Sequence, residues 1–163
     1  HPMKGDAKVL EFLNLVLKNE LTAVNQYWLH YRMLDNWGVH KLAAYERHES
    51  IEEMQHADKL AERILFLDGL PNFQLLGRLR IGKTVEEGLK ADLELEHEAI
   101  AVLRDAVQHC ESVRDYVSRD LFASILGNEE EHVDAIETQF GMIERMGLAN
   151  YIQLNSKAAE ASA

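Results

Sequence analysis

The 163 residues predict an all-α protein: a four-helix bundle with a long crossover between the second and third helices and a short fifth helix at the C-terminal end. Three observations carry this. Two prolines and nine glycines are the only strong helix breakers, and the stretches between them are rich in Leu, Ala, Glu and Lys. Four segments of roughly 25 to 35 residues repeat apolar side chains at steps of three and four, the period of one helical face. The connections between those segments run short, long, short.

Gly5-Asp6 opens the first segment with Asp6 as N-cap, and Trp37-Gly38 closes it, Gly38 supplying the left-handed position beyond the last turn. The second segment runs from about Lys41 to Asp68 and stops at Gly69-Leu70-Pro71. Residues 70 to 83, with Pro71, Gly77 and Gly82, have no helical period. Thr84-Val85-Glu86-Glu87 has the form of a capping box and starts the third segment, which runs to about His109. A break near Cys110 to Ser112 leads into the fourth, from about Val113 to Met146, ended by Gly147. Leu148 to Leu154 forms the fifth, and a polar, Ala-rich tail follows. At 1.5 Å per residue the long segments reach about 38 to 52 Å, and helices of that length pack against one another. Short first and third connections make antiparallel hairpins, and a middle connection of about 14 residues crosses the bundle, the ferritin-like topology. The domain spans residues 3–158, with 159–163 as a flexible tail. His1 and Pro2 precede Met3 and read as a cloning remnant.

Composition narrows the function. Nearly half the residues are hydrophobic, which excludes a disordered chain. Acidic residues outnumber basic ones 28 to 17, for a formal charge of −11. That balance disfavours nucleic acid, whose phosphates need Lys and Arg, and suits a protein that attracts cations. Cys110 is the single cysteine, so no internal disulfide forms and the residue reads as a small buried apolar group. No stretch approaches the roughly 18 apolar residues of a membrane span and no signal peptide is present, so a cytoplasmic location and no membrane partner are expected.

Glu-x-x-His puts a carboxylate and an imidazole on one helical face, within reach of one metal. With 19 Glu and 8 His in the chain, chance alone supplies about one match. There are three: Glu53 with His56, Glu94 with His97, and Glu129 with His132. Phase separates them. Glu129 and His132 lie on the apolar stripe Phe122, Ile125, Ile136, Phe140, Ile143, whereas Glu94 and His97 share a solvated stripe with Glu86, Lys90, Ala101, Arg104 and Gln108. Two further stripes each carry one misplaced carboxylate. Glu20 interrupts Val9, Leu13, Val16, Ala23, Tyr27, and Glu96 interrupts Leu89, Leu93, Ile100, Leu103, Val107. A lone buried carboxylate costs several kcal/mol, so two of them ask for a common cause. Glu20 to Glu96, Glu53 to Glu129 and His56 to His132 are each separated by 76 residues. The chain reads as two helical hairpins in tandem, each contributing a lone Glu and a Glu-x-x-His. That is the ligand set of carboxylate-bridged di-iron or di-manganese bundles. Four carboxylates balance two divalent ions, and O and N donors without thiolates suit Fe or Mn. Interhelical salt bridges are the plainer explanation for any one of the six.

The chain resembles bacterioferritins along residues 3 to 158. The matching stretches include Met3-Lys4-Gly5-Asp6, Asn19-Glu20-Leu21, Asn25-Gln26-Tyr27, His48-Glu49-Ser50-Ile51, Glu53-Met54, His56-Ala57-Asp58, Gly69-Leu70-Pro71-Asn72 and Asp115-Tyr116-Val117-Ser118-Arg119-Asp120. The resemblance implies iron storage and detoxification in a shell of 24 subunits built from twofold dimers. It implies a ferroxidase centre with two Fe per subunit, oxidised by dioxygen or peroxide. In the family Glu53 and Glu129 bridge the irons, Glu20 and Glu96 are terminal, and His56 and His132 each complete one set. Tyr27 would hydrogen-bond behind the ligands, or be an ordinary core tyrosine. Haem b shared between two subunits would take Met54 from each, with Leu21, Asn25 and Trp28 lining the pocket; packing of Met54 in a dimer interface is the plainer reading. An inner-surface iron site maps to His48 and Glu52, where Asp is usual at position 52. Ala135 stands where relatives often carry tryptophan. A small ferredoxin is the implied partner for iron release. A free-standing di-metal oxidase or catalase, and a haem carrier without ferroxidase activity, are the competing functions.

Overall fold

The computed structural model describes residues 4–161, so the expected remnant at His1-Pro2 and the last two tail residues lie outside the described residues. The chain forms five helices and, among the described residues, no strand: α1 Ala7–Asn36, α2 His40–Phe66, α3 Val85–Ser112, α4 Tyr116–Met146 and α5 Leu148–Leu154. Residues 159–161 are exposed and non-helical.

Local chemistry sets the boundaries. The Val9 N–H donates to Asp6 Oδ2 at 3.0 Å, the Glu87 N–H to Thr84 Oγ1 at 3.1 Å and the Ser118 N–H to Asp115 Oδ1 at 3.0 Å. Each satisfies an N–H that the first turn leaves unpaired, and each is worth about 1 kcal/mol. Three helices end in the same way, with a residue at positive φ whose N–H and whose successor's N–H turn back onto the last carbonyls. After α1 that residue is Gly38 (φ 84°), as expected. After α2 it is Asp68 (φ 64°) rather than Gly69, whose N–H instead donates to the Ile64 carbonyl at 2.8 Å. After α3 it is Arg114 (φ 62°), followed by the Asp115 N–H on the Cys110 carbonyl at 2.9 Å. The third connection therefore falls at Val113–Asp115, three residues later than the expected break at Cys110–Ser112, and α4 starts at Tyr116 instead of Val113. The cause is Asp115, which caps α4 and thereby fixes where α3 must stop.

α1 packs along α2 and α3 along α4, and α1–α3 and α2–α4 contacts close the bundle. Two apolar clusters occupy its ends. One includes Leu13, Leu17, Leu60, Ile64, Leu103 and Phe122; the other includes Leu34, Leu42, Leu89, Ile136 and Tyr151. At about 1.5–3 kcal/mol for each large buried side chain, these ends supply the burial that lets the middle of the bundle hold charge.

The crossover is fastened to α1 by side chains in one row. The N–H groups of Asn72, Gly77, Arg80 and Gly82 donate to Asn14 Oδ1 (2.8 Å), Thr22 Oγ1 (2.8 Å), Gln26 Oε1 (3.0 Å) and His30 Nε2 (2.9 Å). The acceptors are spaced by multiples of four, so they form one row that winds slowly around the helix, and the crossover follows it. At Gly82 a Cβ would stand 2.0 Å from the Gly88 nitrogen, so only glycine lets the crossover lie this close to α3.

Candidate metal centre

The third, fourth and fifth turns of α1 and the middle of α2, α3 and α4 meet between the two apolar clusters. There the structure brings together Glu20, Glu53, His56, Glu96, Glu129 and His132, all buried. Their donor atoms form two overlapping groups. Glu20, Glu53, His56 and Glu129 offer ligand atoms within 4.8 Å of one another, and so do Glu53, Glu96, Glu129 and His132. Glu53 and Glu129 belong to both groups, so each offers oxygens to either side of the cluster. Glu94 and His97 are exposed, so the solvated Glu-x-x-His takes no part.

Eight donor atoms in this cluster have no hydrogen-bond partner: both oxygens of Glu20 and of Glu129, one oxygen each of Glu53 and Glu96, and Nδ1 of His56 and of His132. Buried polar atoms are almost always paired. Here they converge, with His56 Nδ1 at 3.3 Å from Glu129 and 3.5 Å from Glu20, and His132 Nδ1 at 3.2 Å from Glu53 and 3.6 Å from Glu96. No Lys or Arg pairs with these carboxylates among the described residues. Burial and then the Glu129 charge push the Glu96 carboxyl well above the usual range. Burial would draw His56 down, but the close carboxylates of Glu129 and Glu53 outweigh it and lift the imidazole to about 10. His132 is raised in the same way, by Glu129, Glu49 and Glu53. Without a metal, the cluster holds its charge in check with protons; divalent cations would replace them.

Tyr27, fully buried, donates to Glu96 Oε1 at 2.6 Å, which leaves Oε2 facing the cluster. Met54 is not part of this group. It points outward from α2, 44% exposed, with Ile51 three residues before it and Trp28 of α1 also exposed. Asn25 is exposed too, whereas Leu21, expected to line the pocket with them, is buried, because it lies one turn from Leu17 and falls in the apolar cluster with Ala57 and Leu60. His48 and Glu52 do come together, Nε2 to Oε2 at 3.5 Å, on the exposed side of α2, and Glu49 joins them. Ala135 is half-buried on α4.

Several buried or half-buried polar residues carry no signal in the sequence pattern that marks the six. Glu49 stands 2.5 Å from His132 Nε2, and Asn128 Oδ1 lies 2.9 Å from His56 Nε2. One turn beyond Tyr27 lies a second buried group, Gln26, His30, Glu46 and Asp92. His30 Nε2 accepts the Gly82 N–H, so Nδ1 carries the proton and donates to Asp92 Oδ1 at 2.9 Å; Gln26 Nε2 donates to the same oxygen at 3.0 Å. Burial and then Asp92 raise the Glu46 carboxyl well above the usual range. Asp92 and Glu46 fall 76 residues from Val16 and Phe122, so the offset that identified the six gives no hint of them. Gln26 and His30 flanking Tyr27 at helical spacing, with Asp92 one turn before Glu96, was the available signal.

The ferritin-like domain family matches residues 10–146. The bacterioferritin of Rhodobacter capsulatus is 49% identical over 160 residues, covering 98% of this chain and 99% of its own length. That of Brucella melitensis biotype 1 is 51% identical over 158 residues, covering 97% and 98%, and that of Streptomyces coelicolor is 48% identical, covering 92% and 90%. No helix among the described residues is long and apolar enough to cross a membrane.

Proposed function

Because the chain belongs to the bacterioferritin family of iron-storage proteins, we propose that it oxidises Fe²⁺ to Fe³⁺ at Glu20, Glu53, His56, Glu96, Glu129 and His132 and deposits the ferric product inside a shell of 24 copies. The observation that carries this is the convergence of eight unpartnered, buried donor atoms on one point of the bundle. Two Fe²⁺ ions, taken as substrate, bring +4 to a pocket whose four carboxylates carry −4. Glu53 and Glu129 hold them about 3.5–4 Å apart, the spacing of two-metal sites. Glu20 with His56 and Glu96 with His132 complete the two positions. Anionic oxygens favour the ferric ion, so the ligand set itself drives the loss of one electron from each iron. Dioxygen takes up the two electrons and two protons to leave as hydrogen peroxide; peroxide takes them up to leave as water. Tyr27 keeps Glu96 aimed at the cluster throughout. Glu20→Ala and Glu129→Ala are expected to slow Fe²⁺ oxidation sharply in stopped-flow absorbance; oxidation at the parent rate would overturn the assignment.

The Met54 face supports a second element of the reading. A thioether among exposed apolar side chains on an α2 surface suits an iron porphyrin sandwiched between two copies, with one Met54 from each. Haem b held there would carry electrons across the shell. Met54→Leu should lose the haem Soret band while the protein still elutes near the about 450 kDa of 24 chains of 18.6 kDa. Loss of assembly instead would mean that Met54 serves packing alone. His48 and Glu52 would hold iron at the inner surface, with Glu49 beside them, and a small ferredoxin would reduce the stored mineral in the cytoplasm.

A further inference from the structure

The 76-residue offset that pairs the metal ligands continues one layer outward, and there its chemistry stops matching. In both histidines Nδ1 faces the carboxylate cluster and Nε2 faces away. His56 Nε2 lies 2.9 Å from Asn128 Oδ1. His132 Nε2 lies 3.4 Å from Glu52 Oε2 and 2.5 Å from Glu49 Oε2. The Glu49 oxygen stands off the N–H direction, so that contact is a close ionic one and not an aligned hydrogen bond. Asn128 is 76 residues after Glu52, and Ile125 is 76 after Glu49. The repeat therefore sets an amide and an isoleucine behind one histidine where it sets two carboxylates behind the other.

We propose that Glu49, Glu52 and Asn128 are positioning residues that make the two metal positions unequal, so that a divalent ion fills the position of His132 and Glu96 before that of His56 and Glu20. The inference rests on the six-residue ligand assignment above. An imidazole that binds metal through Nδ1 must keep its proton on Nε2, and a group that accepts that proton fixes tautomer and ring orientation. Asn128 Oδ1 meets this for His56 at 2.9 Å, whereas Nε2 of His132 faces the carboxylates of Glu49 and Glu52 in close ionic contact without an aligned hydrogen bond; both rings thus present Nδ1 to the cluster and Nε2 to an acceptor. They differ in charge. A carboxylate behind the ring raises the basicity of the ligating nitrogen and adds its own attraction for the cation; an amide does the first weakly and the second not at all. Glu49 is buried and Glu52 partly so, which limits screening of their charge by water. Tyr27 does not offset the difference, because it donates to Glu96 Oε1 and leaves Oε2 free for a metal. Partners of this kind change metal affinity by about 10–100-fold, and that is the expected ratio between the two positions.

Two ions this close repel each other, so binding in two steps would be seen even at identical positions. The decisive quantity is which position fills first. Crystals of the assembled, metal-free protein, soaked without oxygen in Co²⁺ at about one equivalent per subunit, give the occupancy of each position from anomalous scattering. In the parent, cobalt at the His132 position should exceed that at the His56 position about tenfold or more. Asn128→Asp, nearly isosteric, should bring the ratio toward one, and Glu52→Gln should lower it from the other side if the first variant does not assemble. Equal occupancy in the parent, the reverse order, or a ratio that neither variant moves overturns the proposal. Two equally filled positions leave the six-residue assignment standing, whereas a folded shell with cobalt at neither position overturns that assignment itself.

Discussion

Glu20 is the residue whose replacement best separates a metal ligand from a structural ion pair. It is 1% exposed, neither carboxylate oxygen is hydrogen-bonded, and its nearest cationic partner is His56 Nδ1 at 3.5 Å. Its neighbours along α1, Leu17 and Leu21, belong to the apolar cluster with Ala57 and Leu60. Glu20→Met keeps the length of the side chain and removes the charge. Relief of an unpaired buried acceptor contributes about 1–3 kcal/mol, the methionine adds roughly one methylene of apolar burial beyond the stem the glutamate already buries, about 0.8 kcal/mol, and loss of the His56 contact takes back about 1 kcal/mol, since Glu53 and Glu129 still face that ring. The net is a metal-free protein more stable by about 2 kcal/mol, within the 1–4 kcal/mol found when buried ions are replaced by apolar groups. For a chain of this size that raises the midpoint of thermal unfolding by about 4–8 °C. With a divalent ion at a hundred times its dissociation constant the parent gains about 2.7 kcal/mol, and the variant, lacking a ligand, gains little. The order of stabilities should thus invert between EDTA and Zn²⁺ in scanning calorimetry. A metal-free Glu20→Met protein less stable than the parent by 1 kcal/mol or more would refute this reasoning and favour interhelical ion pairing as the reason for the glutamate.

Tyr27→Phe leaves Glu96 Oε1 without its donor and frees the carboxylate to rotate, so Co²⁺ affinity measured by titration should fall about 10–100-fold; an unchanged affinity would make Tyr27 a core tyrosine and no more. His30→Ala orphans the Gly82 N–H and one hydrogen bond of Asp92, a loss of about 1–3 kcal/mol that should appear as a drop of several degrees in the unfolding midpoint with two metals per subunit still bound. Stability of the metal-free protein should fall as pH rises from 7 to 10. The contribution of His56, whose value is lifted from 6.5 to about 10, is complete below the lower figure and lost through the upper one. Glu96, raised above 4.5, favours its protonated form and so acts in the same sense. Divalent metal, which needs both groups deprotonated, should reverse that trend, and a flat metal-free profile would contradict the account.

The helices and the convergence of the six buried Glu and His residues were legible because each follows a local rule that repeats. Apolar stripes gave the faces, lone carboxylates on those faces marked the exceptions, and a constant offset tied the exceptions together. Position within the bundle was harder. The turn after α3 falls at Arg114, which takes a positive φ that rules built on glycine and asparagine do not assign to arginine. The residues behind the ligands were missed for a different reason. Glu49 and Asn128 lie on the flank of their stripes, where a polar side chain is unremarkable until the ring it faces is known. The Gln26, His30, Asp92 group depends on the path of the crossover, a segment without periodicity, so nothing in α1 alone announces that its side chains must receive backbone N–H groups 52 to 58 residues away.

Anaerobic Fe²⁺ titration followed by oxygen decides whether six residues from two tandem hairpins form one ferroxidase centre. Two Fe²⁺ per subunit should bind with release of protons before any oxidation, and admission of oxygen should then convert both to Fe³⁺ in one fast phase. Binding of fewer than two, or oxidation no faster than that of Fe²⁺ in buffer, would contradict that assignment.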